Sequence, residues 1–286
     1  MTATHHVEVE GLGVGYRDRV VIEGLDLTVP AGEVTAIVGP NACGKSTLLR
    51  ALSRLLTPRY GRVLLDGHDI RRMRSKALAR QLGLLPQSPI APEGITVGDL
   101  VGRGRHPHQS ILSRWSLADD MAVAEALRAT QTAELVDRTV DELSGGQRQR
   151  VWIAMALAQR TDVLLLDEPT TFLDVSHQVE VLDLLTDLNR SNATTIVMVL
   201  HDLNVAARYA DHLIAMVGGR VHATGHPVDV LTEATVRAVF GLECRVIEDP
   251  TSGRPLMLPL GRHHVHADAA QRTGTSALDS MSRSTG

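Results

Sequence analysis

The residues best suited to chemistry begin with GPNACGKST at positions 39–47. This stretch matches the phosphate-loop pattern G-x-x-x-x-G-K-[ST] through Gly39, Gly44, Lys45 and Ser46. In such a loop, successive backbone N–H groups surround phosphate oxygens at the start of a helix. Lys45 would reach the β- and γ-phosphates, and the Ser46 hydroxyl would bind Mg²⁺. The other predicted members of this nucleotide site are Pro40, Asn41, Ala42, Cys43 and Thr47.

Ala42 is the unusual residue of this loop, because the backbone there has to wrap around phosphate oxygens. An anion-binding nest needs neighbouring residues of opposite hand, so we expect Ala42 and Gly44, two positions apart, to share a positive φ. For alanine the left-handed conformation costs roughly 1–2 kcal/mol, which is small beside multidentate phosphate binding. We therefore predict that Ala42 is left-handed and that the loop still binds nucleotide.

A second chemical element is VLLLDEP at positions 163–169. Its four apolar residues predict a buried parallel strand, whose carboxyl end lies at the ligand-binding edge of an α/β sheet. Asp167 has the chemistry to hold Mg²⁺, directly or through water, and Glu168 is placed to polarise a water for attack on the γ-phosphate. Alone, this stretch could be an ordinary strand with an acidic end. Beside a phosphate loop, it indicates a nucleotide hydrolase or a kinase.

A third element, LSGGQRQR at positions 143–150, begins a helix with apolar periodicity. Ser144, Gly145, Gly146 and Gln147 would form a second anion-binding helix end, in a chain whose own phosphate loop already serves the nucleotide. A simple glycine-rich helix cap is the alternative.

The elements that must position these residues follow an α/β pattern. Positions 7–38 alternate apolar and polar residues and predict strands separated by Gly and Pro turns. We expect a helix after the phosphate loop, Pro- and Gly-rich loops from about 88, and then helices over 117–131 and 143–159. The α/β pattern resumes with a strand at 163–170, a helix at 179–190, a strand at 194–202, a helix at 203–210 and a strand at 212–217. The glycine spacing of GLGVG (11–15) does not fit a dinucleotide fingerprint.

Composition limits the remaining function classes. The chain has 29 Lys+Arg against 33 Asp+Glu, so no basic field recruits nucleic acid. Its seven aromatic residues do not provide a stacking platform for single-stranded nucleic acid. Cys43 and Cys244 do not form a disulfide framework, which favours a reduced compartment. We expect no signal peptide and no membrane span, so that any work at a membrane is done through a partner. His263, His264 and His266 could bind metal, but a solvated tail is favoured.

Taken together, these motifs closely resemble those of the ATP-binding cassette (ABC) ATPases, whose signature reads LSGGQ. The resemblance covers about residues 7–245, with the motifs in the expected order. It implies an α/β P-loop NTPase with a RecA-like core, an N-terminal antiparallel β-subdomain and an α-helical subdomain. We therefore expect an ABC nucleotide-binding domain over 1–261, with the helical subdomain at about 88–160, and a disordered tail over 262–286. The family usually has glycine where Ala42 stands.

The resemblance also assigns roles to single residues. Tyr16 matches the aromatic residue that stacks on adenine, although alone it would be an ordinary surface residue. Gln87 matches the glutamine that links the Mg²⁺ site to the helical subdomain. Asp174, which ends TTFLD, matches the loop that touches the opposite subunit. His201 matches the switch histidine at the γ-phosphate, although a lone histidine after a strand is more often a packing residue. Lys45, Glu168 and His201 are thus the predicted catalytic residues, and Ser46, Gln87 and Asp167 the predicted Mg²⁺ site.

In this family two subunits pair head to tail, so that the signature of one closes on the ATP held by the other. The segment VGRGRHPHQSILSRW (101–115) could be a solvated basic loop, but it resembles the GR-x-PH segment of ATPases that serve ferric-siderophore, haem and cobalamin importers. The resemblance implies a homodimer on the cytoplasmic face of the membrane, working with two permease subunits and indirectly with an extracytoplasmic binding protein. Ferric siderophore is the expected cargo. A non-transport cassette and a P-loop kinase are the rival classes, and LSGGQ and TTFLD argue against the kinase.

Overall fold

The computed structural model describes residues 5–17, 19–109 and 115–261. The strands are β1 (Val7–Tyr16), β2 (Arg19–Val29), β3 (Val34–Val38), β4 (Tyr60–Leu65), β5 (His68–Asp69), β6 (Leu82–Leu85), β7 (Val163–Asp167), β8 (Thr195–Val199), β9 (His212–Val217), β10 (Arg220–Gly225), β11 (Cys244–Glu248) and β12 (Pro255–Pro259). The α-helices are α1 (Lys45–Leu52), α2 (Ser75–Gln81), α3 (Val97–Gly102), α4 (Leu117–Ala129), α5 (Gly145–Ala158), α6 (Val175–Asn192), α7 (Leu203–Tyr209), α8 (Pro227–Val230) and α9 (Glu233–Phe240). The predicted tail and its histidine cluster lie outside these residues.

A six-stranded sheet with the order β10-β9-β3-β8-β7-β6 forms the centre of the protein. Strands β9, β3, β8, β7 and β6 pair in parallel, and β10 pairs antiparallel with β9. The five parallel strands are largely buried on both faces, because alternate side chains enter two separate hydrophobic clusters, whereas β10 alternates exposed and half-buried residues. In β7, for example, Leu164 and Leu166 pack in one cluster, whereas Val163 and Leu165 pack in the other. This arrangement brings the carboxyl ends of β3, β7 and β8 to one edge.

A second sheet, with the order β2-β1-β4-β5, is antiparallel throughout. Its inward side chains share a hydrophobic cluster with α1 and with one face of the central sheet. The strands predicted at the start of the chain are therefore confirmed, and they cover the helix that follows the phosphate loop.

In its described part, the segment between β6 and β7 carries α3, α4 and α5, together with three short 3-10 helices. Our expectation of loops from 88 was wrong at 97–105, where α3 and a 3-10 helix lie. Thr96 caps α3 by accepting from the Asp99 N–H, and Val97, Leu100 and Val101 bury the apolar face of this short helix. A helix of six residues is too short for its periodicity to stand out in the sequence.

After β7, helices α6 and α7 alternate with β8 and β9, as predicted. Helix α6 starts at Val175, four residues before the predicted start. Its N-cap is Asp174, whose carboxylate accepts from the His177 N–H at 2.9 Å. Beyond β10, α8 and α9 lead to the hairpin β11-β12, which packs against α7. Among the described residues, no helix is both long and apolar enough to cross a membrane.

Candidate active site

The phosphate loop joins β3 to α1 at the carboxyl edge of the central sheet. Gly39 has a φ of 155°, and a Cβ there would lie 2.3 Å from the Met216 carbonyl oxygen, so only glycine fits. Gly44 is the N-cap of α1, with a φ of 110°, and no side chain caps the helix. The first N–H groups of α1 are thus left without a side-chain acceptor, and this helix end suits an anion.

Ala42 adopts a φ of 60°, as predicted from the sequence. Because Gly44 also has a positive φ, the two residues take the same hand on either side of Cys43. The left-handed alanine costs about 1–2 kcal/mol, and the surrounding loop holds it in place. Cys43 contributes to that hold, because its carbonyl oxygen accepts from the Gly219 N–H at 2.9 Å. The Cys43 side chain is buried, and burial raises the pKa of its thiol.

Lys45, the first residue of α1, is buried and bonds to its own loop. Its Nζ donates to the Gly39 carbonyl at 2.8 Å and to the Pro40 carbonyl at 3.0 Å. Both of these partners are neutral backbone carbonyls, so these two hydrogen bonds do not neutralise the ammonium charge. A cation in this position attracts phosphate oxygens.

The Ser46 hydroxyl donates to Asp167 Oδ1 at 3.0 Å and thereby joins α1 to the end of β7. Asp167 is buried, and burial raises the pKa of its carboxyl group, while the Ser46 bond acts in the opposite direction. A hydroxyl and a carboxylate side by side are the hard oxygen ligands that Mg²⁺ prefers, so this pair fits the expected ion. A bound Mg²⁺ would neutralise charge on phosphate oxygens.

Glu168 follows Asp167 and lies beside His201, which follows β8. His201 Nε2 is 2.6 Å from Glu168 Oε1. The Glu168 side chain is 10% exposed, whereas that of His201 is 49% exposed. Both residues line a cavity of about 190 Å³ that also includes Thr170, Thr171 and residues of β8 and α7. We call this space the glutamate cavity.

Tyr16 and Gln87 lie on the borders of this region. Tyr16 ends β1, is 42% exposed, and accepts through its hydroxyl from Arg50 Nη1 of α1 at 3.1 Å. Its ring is therefore held near the helix that the phosphate loop opens. Gln87 is exposed on the bend after β6, the strand next to β7.

The signature residues surround a different space. Ser144 is the N-cap of α5 and forms a capping box, in which its Oγ accepts from the Gln147 N–H at 3.2 Å and the Gln147 side chain accepts from the Ser144 N–H at 3.1 Å. A cavity of about 330 Å³, which we call the signature cavity, is lined by Ser144, Gly146, Gln147, Arg150, Phe172, Leu173, Asp174 and His177. Glu168 and His201 do not line it, so within one chain the signature residues and Glu168 face separate cavities.

Gly145 and Gly146 have room for side chains in this conformation. A Cβ on Gly145 would lie 3.7 Å from Phe172 Cβ, and one on Gly146 would lie 3.6 Å from Leu173 Cδ2, both ordinary contact distances. Packing within the chain therefore does not require glycine here. The two glycines place no side chain at the N-terminus of α5, where the first N–H groups of the helix lie.

Comparison with known proteins identifies the family. Residues 22–171 match the family model described as ABC transporter. The chain is 54% identical over 256 residues to the probable siderophore transport system ATP-binding protein YusV of Bacillus subtilis, a match that covers 90% of this chain and 93% of that protein. The chain belongs to the ABC transporter family.

Two further matches agree with this assignment. The chain is 53% identical over 253 residues to the ferric enterobactin transport ATP-binding protein FepC of Escherichia coli, covering 88% of this chain and 93% of that protein. A solved structure, described as an inward-facing conformation of a putative metal-chelate type ABC transporter, has a TM-score of 0.77 at 29% identity. That match covers 92% of this chain and all of the other. The predicted fold class, an ABC ATPase of the P-loop NTPase type, and the prediction of an ATPase are confirmed.

The GR-x-PH segment, residues 104–108, contacts the carboxyl end of the signature helix α5 of this ABC ATPase. Arg105 is buried, and its Nη1 donates to the Ala158 carbonyl at 2.7 Å while its Nε donates to Asp119 Oδ1 at 2.8 Å. His108 Nε2 donates to the Gln159 carbonyl at 2.7 Å. A Cβ on Gly104 would lie 2.3 Å from the Met155 carbonyl, so glycine permits this close approach. The alternative of a solvated basic loop is therefore wrong for Gly104 and Arg105, which are buried, whereas His106 is exposed and 110–114 lie outside the described residues.

Two residues of the ABC ATPase have contacts that the motif analysis did not identify. Asp174 was expected to touch a second subunit, and its carboxylate is also the N-cap of α6, where bonds from His177 and Ser176 lower its pKa to about 2. Gln149 was not singled out at all, yet its buried side chain connects α5 to the residue after Glu168. Only its place in LSGGQRQR, one turn inside a helix, could have drawn attention to it.

Proposed function

We propose that this chain is the ATP-hydrolysing subunit of an importer that takes up iron(III)–siderophore complexes through a separate membrane permease. The observation that best supports ATP hydrolysis is the 2.6 Å contact between Glu168 and His201, at the sheet edge that also holds Asp167 and the phosphate loop. The cargo is supported by the relatives described as siderophore and ferric enterobactin transport proteins, which match about nine tenths of this chain.

In this proposal each residue acts on ATP at a stated atom. Backbone N–H groups of residues 39–47 and the Lys45 ammonium bind the phosphates, and Tyr16 stacks on adenine. Ser46, Asp167 and Gln87 hold Mg²⁺. Glu168 accepts a hydrogen bond from the attacking water and directs its oxygen at the γ-phosphate. His201 leaves its contact with Glu168 to donate to the γ-phosphate, which frees the carboxylate for the water.

The proposal places a second copy of the chain against the first, head to tail. Each nucleotide would then lie between the phosphate loop of one chain and Ser144, Gly145 and Gly146 of the other. Two findings support this arrangement: the signature and glutamate cavities are separate within one chain, and packing within the chain does not require glycine at positions 145 and 146. Closure of the pair on two nucleotides supplies the free energy, because ATP binds one state better than the other.

The working assembly would contain two permease subunits, with the ATPase pair bound peripherally at the cytoplasmic face of the membrane. An extracytoplasmic binding protein would deliver the chelate to the permease without touching this chain. The region near Gln87, at the junction of the central sheet and the helical segment, would receive the permease, so that cassette closure pulls on it.

Uptake of labelled cargo by a strain that lacks this gene tests the proposal. We expect loss of ⁵⁵Fe–siderophore uptake, recovery with the wild-type gene, and no recovery with Glu168→Gln expressed at the same level. A strain that takes up every ferric siderophore normally but loses uptake of haem or cobalamin would contradict the cargo. Normal uptake of all three would contradict the function in transport.

A further inference from the structure

A buried hydrogen bond joins the signature helix α5 to the peptide beside Glu168. Gln149 lies in the second turn of α5, and its Nε2 donates to the Pro169 carbonyl at 2.9 Å. The Gln149 residue is only 7% exposed, so water does not compete freely for this acceptor. Pro169 directly follows Glu168. The bond therefore fixes the orientation of the peptide group that joins Pro169 to Thr170.

The backbone at Glu168 needs such a restraint. Glu168 has a φ of 55°, which is unfavourable for a residue with a side chain. Conformations of this kind persist when the surrounding structure holds them. A second restraint comes from Thr171, whose N–H donates to the Glu168 carbonyl at 3.3 Å and whose Oγ1 donates to Glu168 Oε2 at 3.3 Å. Thr171, however, belongs to the same turn, whereas Gln149 belongs to another element.

We propose that Gln149 is a positioning residue for ATP hydrolysis: by holding the Pro169 carbonyl, it makes the alignment of the Glu168 carboxylate depend on the position of the signature helix. This inference rests on the proposed role of Glu168. The same helix begins with Ser144, Gly145 and Gly146, which would meet the nucleotide of the second chain. The bond thus connects the reacting carboxylate of one site to the helix that contacts the nucleotide of the other.

Substitution of Gln149 separates positioning from nucleotide binding. Gln149→Met keeps the length and helix propensity of the side chain but cannot donate, and it leaves the Pro169 carbonyl without its partner. We expect the single-turnover rate constant at saturating ATP and Mg²⁺ to fall about tenfold, with the Kd for ATP unchanged within about twofold. Gln149→Glu, which has the same shape, should lower the rate at pH 8 at least as much, because a carboxylate accepts and cannot donate.

Asn189→Leu is the matched control for the loss of a buried amide bond. Asn189 is also buried, and its Nδ2 donates to the Gly32 and Thr194 carbonyls, both at 2.8 Å, near the carboxyl end of α6. This variant should melt at a lower temperature while its folded fraction keeps the wild-type rate constant. A Gln149→Met protein with the wild-type rate, or an equal loss of rate in Asn189→Leu, would overturn the proposal.

Glu168→Gln, measured in the same assay, distinguishes the two possible failures. If Glu168→Gln is slow and both Gln149 variants are fast, only the positioning role fails. If Glu168→Gln hydrolyses ATP at the wild-type rate, the proposed function of Glu168 fails, and the inference about Gln149 fails with it.

Discussion

Arg105→Met should destabilise the protein strongly, because it breaks a buried ion pair at the end of the signature helix. The Arg105 and Asp119 side chains are 7% and 8% exposed, and their N–O distance is 2.8 Å. Removal of one member of a buried pair typically costs about 3–5 kcal/mol, because the other charge stays buried without its partner. Asp119 keeps two hydrogen bonds from Ser116, so we expect a loss of about 2–3 kcal/mol in the free energy of unfolding.

The pH dependence of the free energy of unfolding tests this prediction independently. The hydrogen bond from the Arg105 guanidinium holds the pKa of Asp119 below its ordinary value. A carboxylate whose pKa is lowered by folding adds stability above its unfolded pKa of about 4, and this contribution is lost as the pH falls through the folded pKa. Arg105→Met should therefore lose most stability at neutral pH and show a flatter decline in acid.

Urea unfolding between pH 3 and pH 7 measures both effects. Arg237→Met is the matched control, because Arg237 forms an ion pair with Glu243 in which both side chains are more than half exposed. That variant should unfold within error of the wild type. Our account of the GR-x-PH segment would be incorrect if Arg105→Met had the same free energy of unfolding as Arg237→Met and lost stability in acid as the wild type does.

Two further predictions concern nucleotide affinity, measured by equilibrium binding of ATP. Ala42→Gly should keep the Kd within about threefold of the wild-type value. Ala42→Val should raise the Kd at least about tenfold, because a β-branched side chain does not tolerate a φ of 60°. Equal affinities of the two variants would contradict a left-handed conformation of residue 42. Tyr16→Ala should raise the Kd about tenfold through loss of stacking, whereas Tyr16→Phe should bind ATP nearly as tightly as the wild type does. Wild-type affinity in Tyr16→Ala would contradict the assigned contact with adenine.

The strands and helices that carry the nucleotide motifs could be predicted because local signals agree with the tertiary structure there. Residues 163–166 are uniformly apolar and become a fully buried strand, and Lys45 opens a helix because the preceding loop ends in glycine. The positive φ of Ala42 followed from the geometry of an anion nest. In each case the residues of one short stretch of sequence determine the local backbone structure.

The contacts across long sequence separations could not be predicted. The bond from Gln149 to Pro169 and that from Arg105 to Ala158 join residues 20 and 53 positions apart. Side-chain partners at such separations depend on how whole helices pack, which periodicity does not specify. Arg105 in particular was compatible with a solvated loop, because a charged residue is buried only when a partner such as Asp119 is present.

The central claim is that Glu168 directs the water that hydrolyses ATP, and single-turnover hydrolysis by Glu168→Gln tests it most directly. Glutamine keeps the shape of the side chain but is a poor proton acceptor. We predict that this variant binds ATP and dimerises but hydrolyses it at least about 100-fold more slowly than the wild type. Hydrolysis near the wild-type rate would contradict the account.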